Sequence, residues 1–150
     1  MSMSVSLETS EHLPWRRRTT AQLAVGVARQ LIRLSPGHLR QVLTLLSRRT
    51  RPATLEQALA ARAAVVSVSV RCAGQGCLQR SVATVLLCRL AGTWPDWCTG
   101  VRTEPFRAHA WVEVERRPVG EGPEAPFFRP VITVRHPGTR PEQASTTGTR

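Results

Sequence analysis

The spacing of apolar residues changes once along this chain, and that change limits its fold more than any other feature. Up to about residue 90, apolar side chains recur every three or four positions, the repeat of a helix with one buried stripe. Beyond residue 98 they alternate with polar ones. Phe106-Arg107-Ala108-His109-Ala110-Trp111-Val112-Glu113-Val114-Glu115 has the period of a half-buried strand, and Val131-Ile132-Thr133-Val134 is a second β-rich run. Helices first and strands later predict an α+β domain, with a small antiparallel sheet packed on at least one helix.

Within the helical half, Thr19 or Thr20 caps a segment bearing Leu23, Val27, Leu31 and Leu34 on one face. Ser35-Pro36 restarts the chain into Leu39, Val42, Leu43 and Leu46, so the first two helices read as a packed hairpin. Thr54-Leu55-Glu56-Gln57 has the form of a capping box. It opens a third helix along Leu55, Leu59, Ala63 and Val66 toward Val70, whose terminal VVSVSV run also suits a strand. A fourth helix runs from Cys77 to Leu90 with Val82, Val85, Leu86 and Leu90 on one side, and Gly92 ends it. Thr93-Trp94-Pro95-Asp96-Trp97 reads as a turn, and the Pro, Gly and charges of 118–126 as a loop.

A chain of 150 residues with 41% hydrophobic composition is sized for one core. We place the domain at 14–136 between flexible tails at 1–13 and 137–150, which have little to bury. No apolar run is long enough to span a bilayer, and MSMSVSLETSEH lacks the basic-then-apolar order of a secretion signal, so the expected location is cytoplasmic. The cysteines at 72, 77, 88 and 98 are then expected to be reduced thiols. Their four, ten and nine intervening residues do not repeat a C-x-x-C unit, so no metal and no cofactor are expected. The net charge is +11, carried by 21 arginines and no lysine; with asparagine and tyrosine also missing, this is the mark of a GC-rich coding sequence. Coding bias explains the identity of the cations but not their sign. Residues 1–51 hold nine arginines against Glu8 and Glu11, which suits an acidic partner. A nucleic-acid-binding module is the rival reading, but the basic stretches lack interleaved aromatics and no zinc signature accompanies them.

The chemistry centres on Cys77. It follows Gly74-Gln75-Gly76 and opens a helix, where unpaired backbone N–H groups and the positive end of the helix dipole favour thiolate over thiol. The Cys77 N–H is expected to help bind an oxyanion. His109, in the alternating run, is the matching base, and Trp111 and Glu113 share its face. With no asparagine in the chain, the group that orients the imidazole must be an acid. Glu121 leads, with Glu124 behind it; Asp96 is the lone aspartate, and Glu113 and Glu115 lie on the histidine's own strand.

Cys77-Leu78-Gln79-Arg80-Ser81-x-Ala83-x-x-x-Leu87, Gly100-Val101 and Phe106-x-Ala108-His109-Ala110-Trp111-Val112-Glu113 together resemble the transglutaminase-like B protein of lasso-peptide biosynthesis, a family of leader peptidases. The resemblance runs from about Trp15 to Val134. It implies a papain-like or transglutaminase-like fold, with Cys77 and His109 matching the family's nucleophile and base. The family's acid, often aspartate, falls about a dozen residues after the histidine, where this chain has Glu121. Gln75 and Trp111 are the residues expected at the oxyanion and the substrate. The implied partners are the leader of a precursor peptide, a separate small leader-recognition protein docking on the helical half, and an ATP-dependent lasso cyclase that receives the freed amine. An inactive scaffold that only holds the precursor is the alternative.

Overall fold

A computed structural model describes residues 13–139. The expected tails therefore lie almost wholly outside the described residues. α1 (Trp15–Leu31) buries Ala21, Ala24 and Ala28, while Leu23 is 61% exposed and Val27 is exposed too. The buried stripe is thus the alanine face, not the leucine face expected from spacing. Small side chains let the α1 backbone lie close to its neighbours, and a leucine there would hold them apart. α2 (Pro36–Ser47) starts as predicted, with Ser35 Oγ accepting from the His38 N–H. It packs chiefly against the last strand and not as a hairpin with α1.

α3 (Leu55–Val68) carries the full capping box, Gln57 N–H to Thr54 Oγ1 and Thr54 N–H to Gln57 Oε1. Its VVSVSV end neither continues unbroken nor becomes a strand. Ser69 is extended, and its hydroxyl accepts from the Cys72 N–H, capping a separate short helix, α4 (Val70–Ala73). This break turns the chain back so that Gly74-Gln75-Gly76 can lead into α5 (Cys77–Leu90).

α5 is the central element, touching α1, α3 and the sheet. Val82 and Val85 are fully buried and Leu86 partly so, but Leu90 lies out in solvent past the last turn of contact. After Gly92 the expected turn is extended instead. β2 (Thr93–Trp94) pairs in parallel with β1 (Arg51–Pro52), and β3 (Asp96–Thr103) begins at Asp96 itself. Burial of Trp94 and Trp97 in the core stretches this segment where its composition suggests a bend. β4 (Phe106–Val114), β5 (Arg117–Pro118) and β6 (Arg129–Val134) complete an antiparallel sheet in the order β5-β4-β3-β6. Register places Trp97 opposite both Val112 and Val134, and these join Val82 and Val85 in one core beneath α5. Among the described residues, no helix is long and apolar enough to cross a membrane.

Candidate functional site

The site forms where the start of α5 meets an unpaired edge of β4. β5 pairs only with Glu113 and Val114, so β4 from Phe106 to Val112 has no strand on that side. Cys77 fills the gap. Its sulfur takes hydrogen bonds from the His109 side chain and from the Ala110 backbone. Alternation along β4 puts His109, Trp111 and Glu113 on one face, as their spacing predicts.

The acid arrives by register. Glu115 and Arg116, both at positive φ, make a tight reversal. Pro118 then pairs with Glu113, and the Val119 N–H donates to the Val112 carbonyl. Two residues further along this antiparallel path, Glu121 stands beside Ala110 and His109. Its Oε2 lies 2.7 Å from His109 Nε2. With Nε2 held there, Nδ1 is the ring atom left to face the sulfur. Asp96 is elsewhere, binding Arg135 at 3.2 Å and accepting from the His136 N–H at 2.8 Å. Glu124 binds Arg102 and Arg107. Glu113 accepts from Trp111 Nε1 at 2.9 Å.

Electrostatics single out one thiol. The Cys77 pKa is lowered, first by its hydrogen bond to His109 and then by the Ala110 N–H, against the opposing effect of burial. Burial raises Cys72, pushes Cys88 up to about 12 and raises Cys98 further. The imidazole moves the other way. His109 is raised to about 9, by its hydrogen bonds to Cys77 and to Glu121. A depressed thiol beside an elevated imidazole favours the thiolate–imidazolium form of the pair, the arrangement a cysteine nucleophile requires.

Two residues expected at the oxyanion and substrate stand differently. The Cys77 N–H donates to the Gln75 carbonyl at 3.0 Å, so it is engaged within the turn and not free for an oxyanion. Gly76 supplies no side-chain cap, which leaves the N–H groups of Leu78 and Gln79 as first-turn donors without an intrahelical acceptor. Gln75 is exposed on the turn two residues before Cys77. Trp111 is only 3% exposed and stacks on His109 at 5.9 Å between centroids and 14° between planes, so it is a wall behind the imidazole and not an open substrate surface. Phe128 closes the ring's surroundings at 5.2 Å.

A model of the transglutaminase-like superfamily matches residues 16–133. The chain belongs to the transglutaminase-like superfamily. Comparison with curated proteins and with solved structures gives no match. Membership fits the layout, since this superfamily includes catalysis by cysteine. The transglutaminase-like domain has a cavity of about 250 Å³ in front of Cys77, walled mainly by Leu78, Val101, Ala108, Ala110 and Val131. A second of about 340 Å³ lies on the far side of His109, along Glu121, Glu124 and Phe128. Arg80 was visible in sequence only as a neighbour of Cys77 in the first helical turn. In the fold it is buried, donating to the carbonyls of Cys72 at 3.0 Å and Gly74 at 3.3 Å. Phe128 gave no sequence signal, because its side chain reaches the site from a loop that neither period describes.

Proposed function

We propose that this transglutaminase-like domain is a cysteine endopeptidase that removes the leader from a lasso-peptide precursor. The observation that carries the proposal is the line Cys77–His109–Glu121, with Cys77 the one thiol of four whose pKa is lowered. The resemblance of the C-L-Q-R-S and A-H-A-W-V-E segments to leader peptidases supports it further.

In this mechanism the Cys77 thiolate attacks the carbonyl carbon at the leader–core junction, and the oxyanion that forms is held by N–H donors of the first turn of α5. As the C–N bond breaks, His109 gives its proton to the leaving amine, which becomes the core's new N-terminus. The leader remains as a thioester on Cys77. Water then attacks the thioester; His109 takes its proton, the C–S bond breaks and the leader leaves as a carboxylic acid. Glu121 holds the imidazole in orientation and stabilises its positive charge. The proposed partners are a small leader-recognition protein and a cyclase that consumes the new amine.

Mass spectrometry of a precursor incubated with the chain and its leader-recognition protein tests the reading. Hydrolysis gives a core with a free amine and a leader acid whose masses together exceed the precursor's by one water; transfer to an added amine gives a leader carrying that amine. Cys77→Ala is expected to abolish both products. Glu121→Gln is expected to slow cleavage by about tenfold or more, and Asp96→Asn far less, because only the former touches the imidazole. Wild-type inertness with the recognition protein present, or equal loss on replacing each of the four cysteines, overturns the assignment.

A further inference from the structure

Arg80 is a charged residue in the first turn of α5, yet it is 9% exposed. A guanidinium enters a protein interior only when several acceptors receive its fork of donors. Here those acceptors belong to two separate parts of the chain. Nη1 donates to the carbonyls of Cys72 and Gly74, which close α4 and begin the turn into Cys77. Nη2 lies 4.0 Å from Glu121 Oε1, while the other oxygen of that carboxylate, Oε2, meets His109. One rigid group therefore ties the turn that carries the sulfur to the loop that carries the acid.

We infer that Arg80 is a positioning residue of the reaction proposed above: it clamps Glu121 against the turn before Cys77, so that Oε2 stays aimed at His109 and the imidazole at the sulfur. The inference rests on that reading of the site. The loop of Glu121 enters through Gly120, at φ 65° with the Arg62 side chain packed against it, and continues through Gly122. The planar fork of Arg80 reaches this carboxylate and both carbonyls together. A lysine has the charge but a single nitrogen, which cannot span the same partners. The charged groups bearing on the sulfur are then His109 from β4, Arg80 from α5 itself and, through His109, Glu121 from the loop after β5.

The test is the rate of iodoacetamide labelling at Cys77 in the full chain as a function of pH, followed by peptide mapping, in wild type, Arg80→Lys, Arg80→Gln, Glu121→Gln and Arg80→Gln/Glu121→Gln. In wild type, Cys77 labels selectively at pH 7. Arg80→Gln is expected to raise the midpoint toward that of a free thiol and lower the rate at pH 7 about tenfold, the effect of one pKa unit on the thiolate fraction. Arg80→Lys falls between. If Arg80 acts through Glu121, adding Arg80→Gln to Glu121→Gln costs less than about twofold more. An unchanged midpoint in Arg80→Gln overturns the inference, as do losses that multiply fully in the double variant. Misfolding of Arg80→Gln would appear as labelling of the buried Cys88 and Cys98. Arg80→Lys then decides, a wild-type rate overturning the clamp. A wild-type Cys77 that does not label overturns the peptidase reading itself, so the two failures are told apart.

Discussion

At the scale of single residues, Cys77 and His109 perturb each other in opposite directions, and the consequence is a window of pH. Below the lowered pKa of Cys77 the sulfur is a neutral thiol and does not attack. Above about 9, His109 loses the proton that the leaving amine needs. Cleavage is therefore expected to follow a bell, with an acid limb below the ordinary thiol value of 9.0 and a basic limb near 9. The two limbs belong to the pair and not to either residue alone. His109→Ala removes the largest influence lowering the thiol pKa, so its labelling midpoint should climb back toward that of an ordinary thiol, since burial then acts with less opposition. A stopped assay of kcat/KM from pH 5 to 10 checks the first expectation, and labelling rates over the same range check the second.

At the scale of elements, the site depends on how closely strands and helices approach, and Gly100 is the position where that approach is tightest. It pairs with His109 on one side and Pro130 on the other. A Cβ there would stand 2.4 Å from the Arg129 carbonyl oxygen and 2.8 Å from the Trp111 ring. Gly100→Ala must move β6 or tilt the wall behind His109, and is expected to cost about 1–3 kcal/mol in stability. Gly26→Ala, on an exposed stretch of α1 with nothing nearby, is expected to stabilise by about 0.5–1 kcal/mol. Urea titration of both variants compares them. The same approach distances explain what sequence concealed. The Cys77 helix and the His109 strand were legible because each carries its own local period. Glu121 reaches His109 only through the tight turn at Glu115-Arg116, and these are not residue types that announce a turn with positive φ. Several carboxylates therefore stayed open as the third group in the sequence, and it is register that sets Glu121 against the imidazole. The packed face of α1 was misread because leucines outrank alanines in any apolar pattern, although close helix packing selects the alanines. Arg80 was hidden for a similar reason: a charged residue in a first helical turn reads as solvent-facing unless the carbonyls it serves are known.

At the scale of the whole molecule, charge is distributed unevenly about this site. Between residue 13 and Glu56 the described chain has no acidic residue, whereas Arg16, Arg17, Arg18, Arg29, Arg33, Arg40, Arg48, Arg49 and Arg51 are all exposed. None of these arginines is among the charges that bear on Cys77, which are those of His109 and Arg80. Steering and chemistry are thus separable. If the proposed leader or its recognition protein presents acidic groups to these helices, raising the salt from about 0.05 to about 0.5 M shortens the Debye length from roughly 14 to roughly 4 Å and screens the attraction. KM for the precursor is then expected to rise severalfold with kcat little changed, because the thiolate–imidazolium pair is partly buried and shielded from the added ions. Paired substitution of Arg16 and Arg17 by Gln should remove part of that salt dependence while leaving Cys77 labelling at its wild-type rate. A KM indifferent to salt would instead assign precursor capture to the apolar cavity beside Cys77 and leave the arginines as solvation of exposed helices.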